Sequence, residues 1–169
     1  MTETNIVDTN VILVANGQHE NVGSDCVADC ATRLAKIMSH GRIALDSEFE
    51  VLSEYQNKTQ PVRAKRPGDV FVKWVLQNRS NVSRCDAVLI EKHPTRMYKT
   101  FPDDARLAAF DVSDRKFIAI AAAHPRKPTI LQATDSKWVT WSAALSDHGL
   151  AVEFLCRAEI ERFHRQKNQ

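Results

Sequence analysis

Long apolar runs, signal-peptide features and a strong net charge are all missing from this 169-residue sequence. No apolar stretch approaches the roughly 20 residues that a membrane-spanning helix needs, so we expect no membrane partner. The opening segment MTETNIVDTN has neither the basic region nor the apolar core of a signal peptide, which favours a cytoplasmic protein. With no repeat, low-complexity tract or linker, residues 1–169 are predicted to form one domain.

Cysteine is sparse, and its four positions form no CxxC pair. Cys26 and Cys30 are four residues apart on a predicted helix, which puts them on one face of that helix. A metal site would need further ligands that are not evident beside them. We therefore interpret both as small, half-buried, reduced residues.

The net charge of +2 is smaller than that of a protein that coats DNA. Basic residues are nevertheless concentrated in two segments, 58–73 and 157–167. Their members are Lys58, Arg63, Lys65, Arg66 and Lys73, and then Arg157, Arg162, His164, Arg165 and Lys167. Such clusters suit a phosphate backbone, but a solvated loop or helix face has the same composition.

Apolar strand-like runs alternate with amphipathic segments along the chain. NIVDTNVILVA is predicted to be a buried strand with polar residues towards its end, and RIALD, CDAVLIE, PTILQATD and LAVEFLC are predicted to be further strands. Helices are predicted over about 24–39, 47–58, 69–80, 113–124, 136–148 and 156–166. Because most strands are apolar throughout, we predict an α/β fold with a central, mainly parallel sheet of four to five strands.

Acidic side chains recur where these strands end and the following helices begin. Asp8 interrupts the first apolar run, Glu54 lies in the helix after the second strand, Asp114 opens the helix over 113–124, and Asp135 ends PTILQATD. Ligands of open α/β sheets bind at this edge. Gathered carboxylates repel one another, and Mg²⁺ or Mn²⁺, which prefer oxygen ligands, would relieve that repulsion. Such a site suits phosphodiester hydrolysis.

Three of these acids also have a purely structural interpretation. Glu54 would be a solvent-facing helix residue, Asp114 a favourable first-turn acid, and Asp135 a helix cap. Asp8 is harder to explain in this way, because an unpaired carboxylate within an apolar strand is costly. The functional interpretation is therefore strongest for Asp8.

Two helix starts have competing candidates for the capping residue. Ser47 is predicted to begin the helix over 47–58, with Glu50 as its capping-box partner and Glu48 as a first-turn acid. Asp111 is predicted to cap the helix that opens near Ser113, and an outer metal ligand is the alternative for it.

Four short motifs resemble, in the same order, those of the PIN-domain nucleases. IVDTNVIL is similar to the family's opening strand with its D-T-N motif, VLSEY to the second acidic motif, FDVSDRKFIAIAAA to the third, and ILQATDSKW to the fourth. The resemblance covers about residues 5–155. It implies a three-layer α/β/α domain and Mg²⁺- or Mn²⁺-dependent cleavage of single-stranded or structured RNA. Many small members are toxins of toxin–antitoxin pairs and are commonly dimers, so an antitoxin and a second copy of the chain are implied partners.

Matching the motifs residue by residue gives the implied roles. The catalytic, metal-binding acids would be Asp8, Glu54, Asp114 and Asp135. Asn10 would support the site by hydrogen bonding, and Thr9 or Thr134 would orient a water or a carboxylate.

Basic residues next to the third and fourth motifs are candidates for contact with substrate. Arg115 and Lys116 flank Asp114 and could contact phosphate, although a helix-surface role is equally consistent with the sequence. Lys137 stands where relatives often carry a further acid. It would either remove a ligand of a second metal or add a phosphate contact, so the resemblance leaves open whether one or two ions bind.

Two other functional hypotheses compete with a ribonuclease. A PIN-like module could bind RNA or a protein without cutting, although the complete set of four acids argues against this. A phosphatase of the haloacid-dehalogenase type also begins with an Asp after its first strand, but it needs a second acid two residues later, where this chain has Asn10.

Overall fold

The computed structural model describes residues 2–168, which are built around a five-stranded parallel sheet. The strands are β1 (Thr4–Val7), β2 (Arg42–Asp46), β3 (Cys85–Val88), β4 (Lys92–His93), β5 (Met97–Tyr98), β6 (Thr129–Gln132) and β7 (Val152–Phe154). The central sheet has the strand order β3-β2-β1-β6-β7, and β4 and β5 form a separate antiparallel pair.

Helices flank the central sheet in a three-layer α/β/α arrangement, which confirms the predicted fold class. They are α1 (Thr9–Ala15), α2 (Ser24–His40), α3 (Glu50–Lys58), α4 (Pro67–Asn78), α5 (Arg115–Ala123), α6 (Lys137–Asp147) and α7 (Arg157–Lys167). Short 3₁₀ helices cover Ala105–Leu107 and Val112–Asp114. Within residues 2–168, no helix is both long and apolar enough to cross a membrane.

The position of β1 determines where a ligand can enter. This strand pairs with β2 on one side and with β6 on the other. The strand order therefore reverses at β1, because β2 and β3 lie on one side of it and β6 and β7 on the other. Such a switch point opens a crevice at the carboxyl ends of the two central strands. The residues that follow Val7 and Gln132 therefore face a common crevice.

The core below the crevice is apolar. Ile6 of β1 and Ile130 of β6 are fully buried, and so is α5 from Phe117 to Ala121. Each fully buried Ile or Phe side chain contributes about 1.5–3 kcal/mol relative to an exposed one. This packing gives the edge residues a rigid support.

The first apolar run changes from strand to helix after Val7, so the prediction of a strand over the whole run is wrong. Asp8 has extended backbone angles, and its carboxylate accepts a hydrogen bond from Asn10 N at 2.8 Å, which caps α1. Val11 and Val14 are then buried within the core. Capping and tertiary packing therefore override the β propensity of this segment.

The start of α3 also differs from the prediction. Phe49, with a positive φ of 58°, precedes the helix, and Asp46 rather than Ser47 satisfies its free amides. The Asp46 carboxylate accepts from Glu50 N at 2.8 Å and from Val51 N at 2.9 Å. The predicted capping box is wrong, because Glu50 turns instead towards the hairpin formed by β4 and β5.

Cys26 is not a reduced thiol, contrary to the prediction. It forms a disulfide with Cys156 that connects α2 to the residue preceding α7. Cys30 is a free thiol, and its Sγ lies 3.8 Å from that of Cys156. All three residues are buried rather than half-buried. Sequence spacing could not reveal this link, because the two bonded residues are 130 positions apart.

Candidate metal centre

The crevice at the switch point contains the four acids predicted from the sequence. Asp8 follows β1, Asp135 lies three residues beyond β6, and Asp114 ends the 3₁₀ helix before α5. Glu54 reaches the same place from the middle of α3. The negative charges of Asp114, Glu54 and Asp135 all raise the pKa of Asp8, so the four side chains form one electrostatic cluster.

Asp8 is the most deeply buried member of this cluster, with only 4% of its surface exposed. One carboxylate oxygen, Oδ2, accepts the capping hydrogen bond from Asn10 N. The other, Oδ1, is buried and has no hydrogen-bond partner among residues 2–168. Burial first, and then the charge of Asp114, hold the pKa of the Asp8 carboxyl well above its usual range. A cation beside Oδ1 would stabilise the ionised form of Asp8.

Asp114 experiences the same two effects. Burial, followed by repulsion from Asp135, raises its pKa to about 6, although Lys116 opposes the shift. Its side chain forms no capping hydrogen bond to α5 within the described residues. Burial and repulsion by Asp135 thus outweigh the stabilisation that a helix start would give to a first-turn acid.

Glu54 is held in place by two side chains. Thr9 Oγ1 donates to Glu54 Oε2, and Lys116 Nζ donates to Glu54 Oε1 at 3.1 Å. Only 21% of the Glu54 side chain is exposed, so it is not a solvent-facing helix residue. Thr9 thus orients a carboxylate, which is one of the roles that the sequence predicted for it.

Asn10 joins the two strand ends that form the crevice. Its Oδ1 accepts hydrogen bonds from Thr134 N at 2.8 Å and from Thr134 Oγ1 at 3.1 Å. The loop carrying Asp135 is therefore fastened to the start of α1, directly beside Asp8. Asn10 thus supports the site by hydrogen bonding. The Thr134 hydroxyl donates to Asn10 rather than to a carboxylate.

Asp111 belongs to the acidic cluster, contrary to its predicted capping role. Its side chain makes no capping hydrogen bond within the described chain. Instead, carboxylate oxygens of Asp111, Asp114 and Asp135 lie within 4.8 Å of one another. Asp135 also accepts from Lys137 N at 3.2 Å, so it caps α6 weakly as well as joining the cluster.

The three predicted phosphate contacts have different outcomes. Arg115 is buried, and its guanidinium donates to three main-chain carbonyl oxygens, so its predicted phosphate contact is wrong. Those oxygens belong to Arg96, Ala108 and Phe110. The Lys116 ammonium group forms an ion pair with Glu54 at 3.1 Å, and only 11% of the Lys116 side chain is exposed, so it positions Glu54. Lys137 bonds to Asp111 at 3.2 Å, but 53% of its side chain is exposed, so it can also reach an anion at the mouth of the crevice.

The donor set fits a hard divalent cation. Five carboxylates converge with only two ammonium groups, those of Lys116 and Lys137, as direct partners within the described residues. Mg²⁺ and Mn²⁺ prefer oxygen ligands. The site offers the unpartnered Oδ1 of Asp8 and the neighbouring carboxylate oxygens of Asp111, Asp114 and Asp135.

A cavity of about 430 Å³ adjoins these acids and was not anticipated from the sequence. Its lining includes Asn10, Thr134 and Asp135 from the site, together with His19 and Phe163. His19 precedes α2 and Phe163 is near the end of the chain, so their proximity is purely tertiary. The basic composition of the C-terminal segment was the one available signal.

Comparison with known protein families, with curated proteins and with solved structures finds no match to this chain. The fold and site define an α/β protein with an acidic cluster suited to a divalent cation. The likeness to PIN-domain nucleases rests on the four sequence motifs.

Proposed function

We propose that the protein is a Mg²⁺- or Mn²⁺-dependent endoribonuclease of the PIN type, which hydrolyses RNA phosphodiester bonds. The observation that carries this proposal is the buried, unpartnered Oδ1 of Asp8 beside Glu54, Asp114 and Asp135. Leaving a carboxylate oxygen without a partner in the interior costs about 1–3 kcal/mol or more, so this arrangement makes sense as one half of a cation site.

The cation would be held by Asp8, Glu54, Asp114 and Asp135, with Asp111 next to them. When bound there, a divalent ion polarises the phosphate and makes water a better nucleophile. The protein supplies the fixed geometry. Thr9 and Lys116 orient Glu54, while the Asn10–Thr134 hydrogen bonds keep the two strand ends together.

The test is cleavage of a labelled RNA by the purified chain with Mg²⁺, with Mn²⁺ or with EDTA. We expect cleavage only with metal, and a loss of at least about a hundredfold in Asp8→Asn, because removal of one charge-stabilising group typically has this effect. Glu48→Gln is the matched control, since Glu48 is an exposed acid that precedes α3 and lies outside the cluster. If Asp8→Asn cleaves as fast as Glu48→Gln, the assigned site is wrong.

A phosphatase of the haloacid-dehalogenase type is disfavoured by the position of Asn10. That chemistry needs an acid there, whereas the Asn10 amide oxygen is occupied by Thr134. A PIN-like module that binds without cutting is tested directly by calorimetry with Mn²⁺. Binding of Mn²⁺ without any RNA cleavage would favour that alternative.

We also propose that the enzyme is a toxin that is neutralised by an antitoxin protein and acts as a homodimer, as the motif resemblance implies. Induced expression of the wild-type chain should then arrest growth, and Asp8→Asn should not. Light scattering measures whether two copies associate.

We further propose a cytoplasmic location, where RNA is available. Disulfides are rare in that reducing compartment, and the burial of both Cys26 and Cys156 would protect their bond there. Cell fractionation should recover the chain with cytoplasmic marker proteins. Recovery from an oxidising compartment instead would overturn this location.

A further inference from the structure

One face of α7 forms the outer wall of the cavity beside the acidic cluster. Phe163, Gln166 and Lys167 line it, and their spacing of three and four residues puts them on the same side of the helix. Asn10, His19 and Asp135 also line this cavity. One member of the acidic cluster and two aromatic rings therefore border the same space.

The two rings form a tilted aromatic pair at the cavity. The centroids of His19 and Phe163 are 6.4 Å apart, with an angle of 38° between the planes. Arg162 packs against Phe163 with its Cζ 4.7 Å from the ring centroid. His19 is exposed and Phe163 is half-buried, so each ring presents surface to the cavity. At this distance and angle the rings pack against each other, so a base would contact their exposed surfaces rather than enter between them.

These surroundings match the chemistry of a nucleotide. Bases of single-stranded nucleic acids stack on aromatic side chains, and cationic side chains pair with the adjoining phosphates. The exposed Lys167 supplies a cation at the rim of the cavity. A volume of about 430 Å³ lies within the usual range for small-ligand sites, and Asp135 is part of the lining.

Anchoring of α7 makes this wall part of the folded protein before any ligand arrives. The Cys26–Cys156 disulfide fixes the start of the helix to α2. Arg162 donates to Glu159 and, at 2.7 Å, to Asn21 O, so the helix also contacts the turn that follows His19. A preorganised wall loses less entropy on binding than a mobile one.

We propose that this cavity is a base-binding subsite, in which His19 and Phe163 contact an unpaired nucleobase next to the phosphate being cut. Lys167 pairs with a neighbouring phosphate. This inference rests on the proposed nuclease function and assigns substrate selection to the C-terminal helix. A base inside a duplex is already stacked on both faces, so the cut strand must be unpaired at this position.

The test compares Phe163→Leu with Arg165→Ala on two RNA oligonucleotides. Leucine keeps the apolar packing of Phe163 and removes its ring, and Arg165 lies on the same helix without lining the cavity. One oligonucleotide is intact, and the other has an abasic residue next to the cut.

For the intact RNA, Phe163→Leu should raise KM about ten- to a hundredfold and change kcat little. For the abasic RNA, its KM should equal that of the wild type. Arg165→Ala should change KM for the intact and the abasic RNA by the same factor, because it removes a charge and no contact with the base.

His19→Ala provides a second variant on an exposed loop, where misfolding is not expected. It should show the same loss with the intact RNA only. Equal KM values for Phe163→Leu, His19→Ala and the wild type would overturn the subsite, and so would cleavage of duplex RNA as fast as of the single strand. A folded Phe163→Leu chain, checked by circular dichroism, is required for the comparison.

Failure of the subsite and failure of the nuclease remain distinguishable. Fluorescence anisotropy with Asp8→Asn in EDTA measures binding of the two oligonucleotides without any chemistry. If the wild type cuts no RNA but tighter binding of the intact oligonucleotide depends on Phe163, the subsite is supported and the nuclease proposal is wrong. If RNA is cut with no dependence on Phe163 or on the base, the nuclease is supported and the subsite is overturned.

Discussion

Replacement of Asp114 by asparagine should make the metal-free protein more stable while weakening its proposed activity. In the folded protein, burial and repulsion by Asp135 raise the pKa of Asp114 to about 6. The ordinary value is 3.8, so the folded state binds more protons than the unfolded state between these two pH values. The contribution of Asp114 to the free energy of unfolding must therefore fall as pH rises from about 4 to about 6.

The shift of roughly two pH units corresponds to about 3 kcal/mol at full strength. Part of Asp114 is solvent-exposed, and solvent screening reduces the effect to about 1–2 kcal/mol. The side-chain amide in Asp114→Asn carries no charge, so the variant should escape this loss. A difference of 1 kcal/mol shifts the Tm of a chain of this size by about 2–4 °C, so the Tm of the variant in EDTA at pH 7.5 should exceed that of the wild type by about 2–8 °C.

Differential scanning calorimetry in EDTA at pH 4 and at pH 7.5 measures the Tm difference between the variant and the wild type and its dependence on pH. The Tm difference should be close to zero at pH 4 and appear at pH 7.5. Addition of Mg²⁺ at ten times its Kd should stabilise the wild type by about 1.4 kcal/mol and the variant by less. A variant that is less stable than the wild type in EDTA at pH 7.5, or a difference that does not change with pH, would refute the electrostatic account.

Three further predictions concern the support of the site. Asn10→Ala should lower the free energy of unfolding by about 1–2 kcal/mol and weaken Mn²⁺ binding in calorimetry, because Thr134 loses its acceptor; unchanged Mn²⁺ affinity would contradict this. Cys156→Ser should cost about 2–4 kcal/mol in urea unfolding through loss of the bond to Cys26, and an unchanged midpoint would speak against the disulfide. Arg115→Met should cost about 3 kcal/mol, since three buried carbonyls lose their donor, with KM for RNA within about twofold of the wild type; a large rise in KM would restore the phosphate role.

Local sequence patterns were sufficient for most of the framework. Alternation of apolar strands with amphipathic helices predicted a parallel sheet, because strands covered on both faces must be apolar throughout. RIALD is a strand with the predicted bounds, Arg42–Asp46. The pattern failed where a contact from outside the segment decides the conformation. Val11 to Ala15 have strand-like composition, and the Asp8 cap and packing in the core make them helical.

The acids Asp8 and Asp135 were identifiable because the end of a parallel strand is the usual place for a functional side chain. Asp111 was not assigned correctly. Its contacts with Asp114 and Asp135 depend on how the 3₁₀ helix over Val112–Asp114 turns against the loop after β6. Arg115 was misassigned for a related reason, since an Arg beside an active-site acid looks the same in sequence whether it points outwards or into the core.

The sequence by itself therefore determined the class of fold and the carboxylates available for a metal centre, because both follow from periodicity and from position relative to strand ends. Tertiary structure alone decided that Asp8 keeps one buried oxygen without a partner among residues 2–168. It also decided that Cys26 meets Cys156, and that His19 packs against Phe163 at the cavity. These contacts join residues more than a hundred positions apart, and such pairs meet only once the sheet order is established.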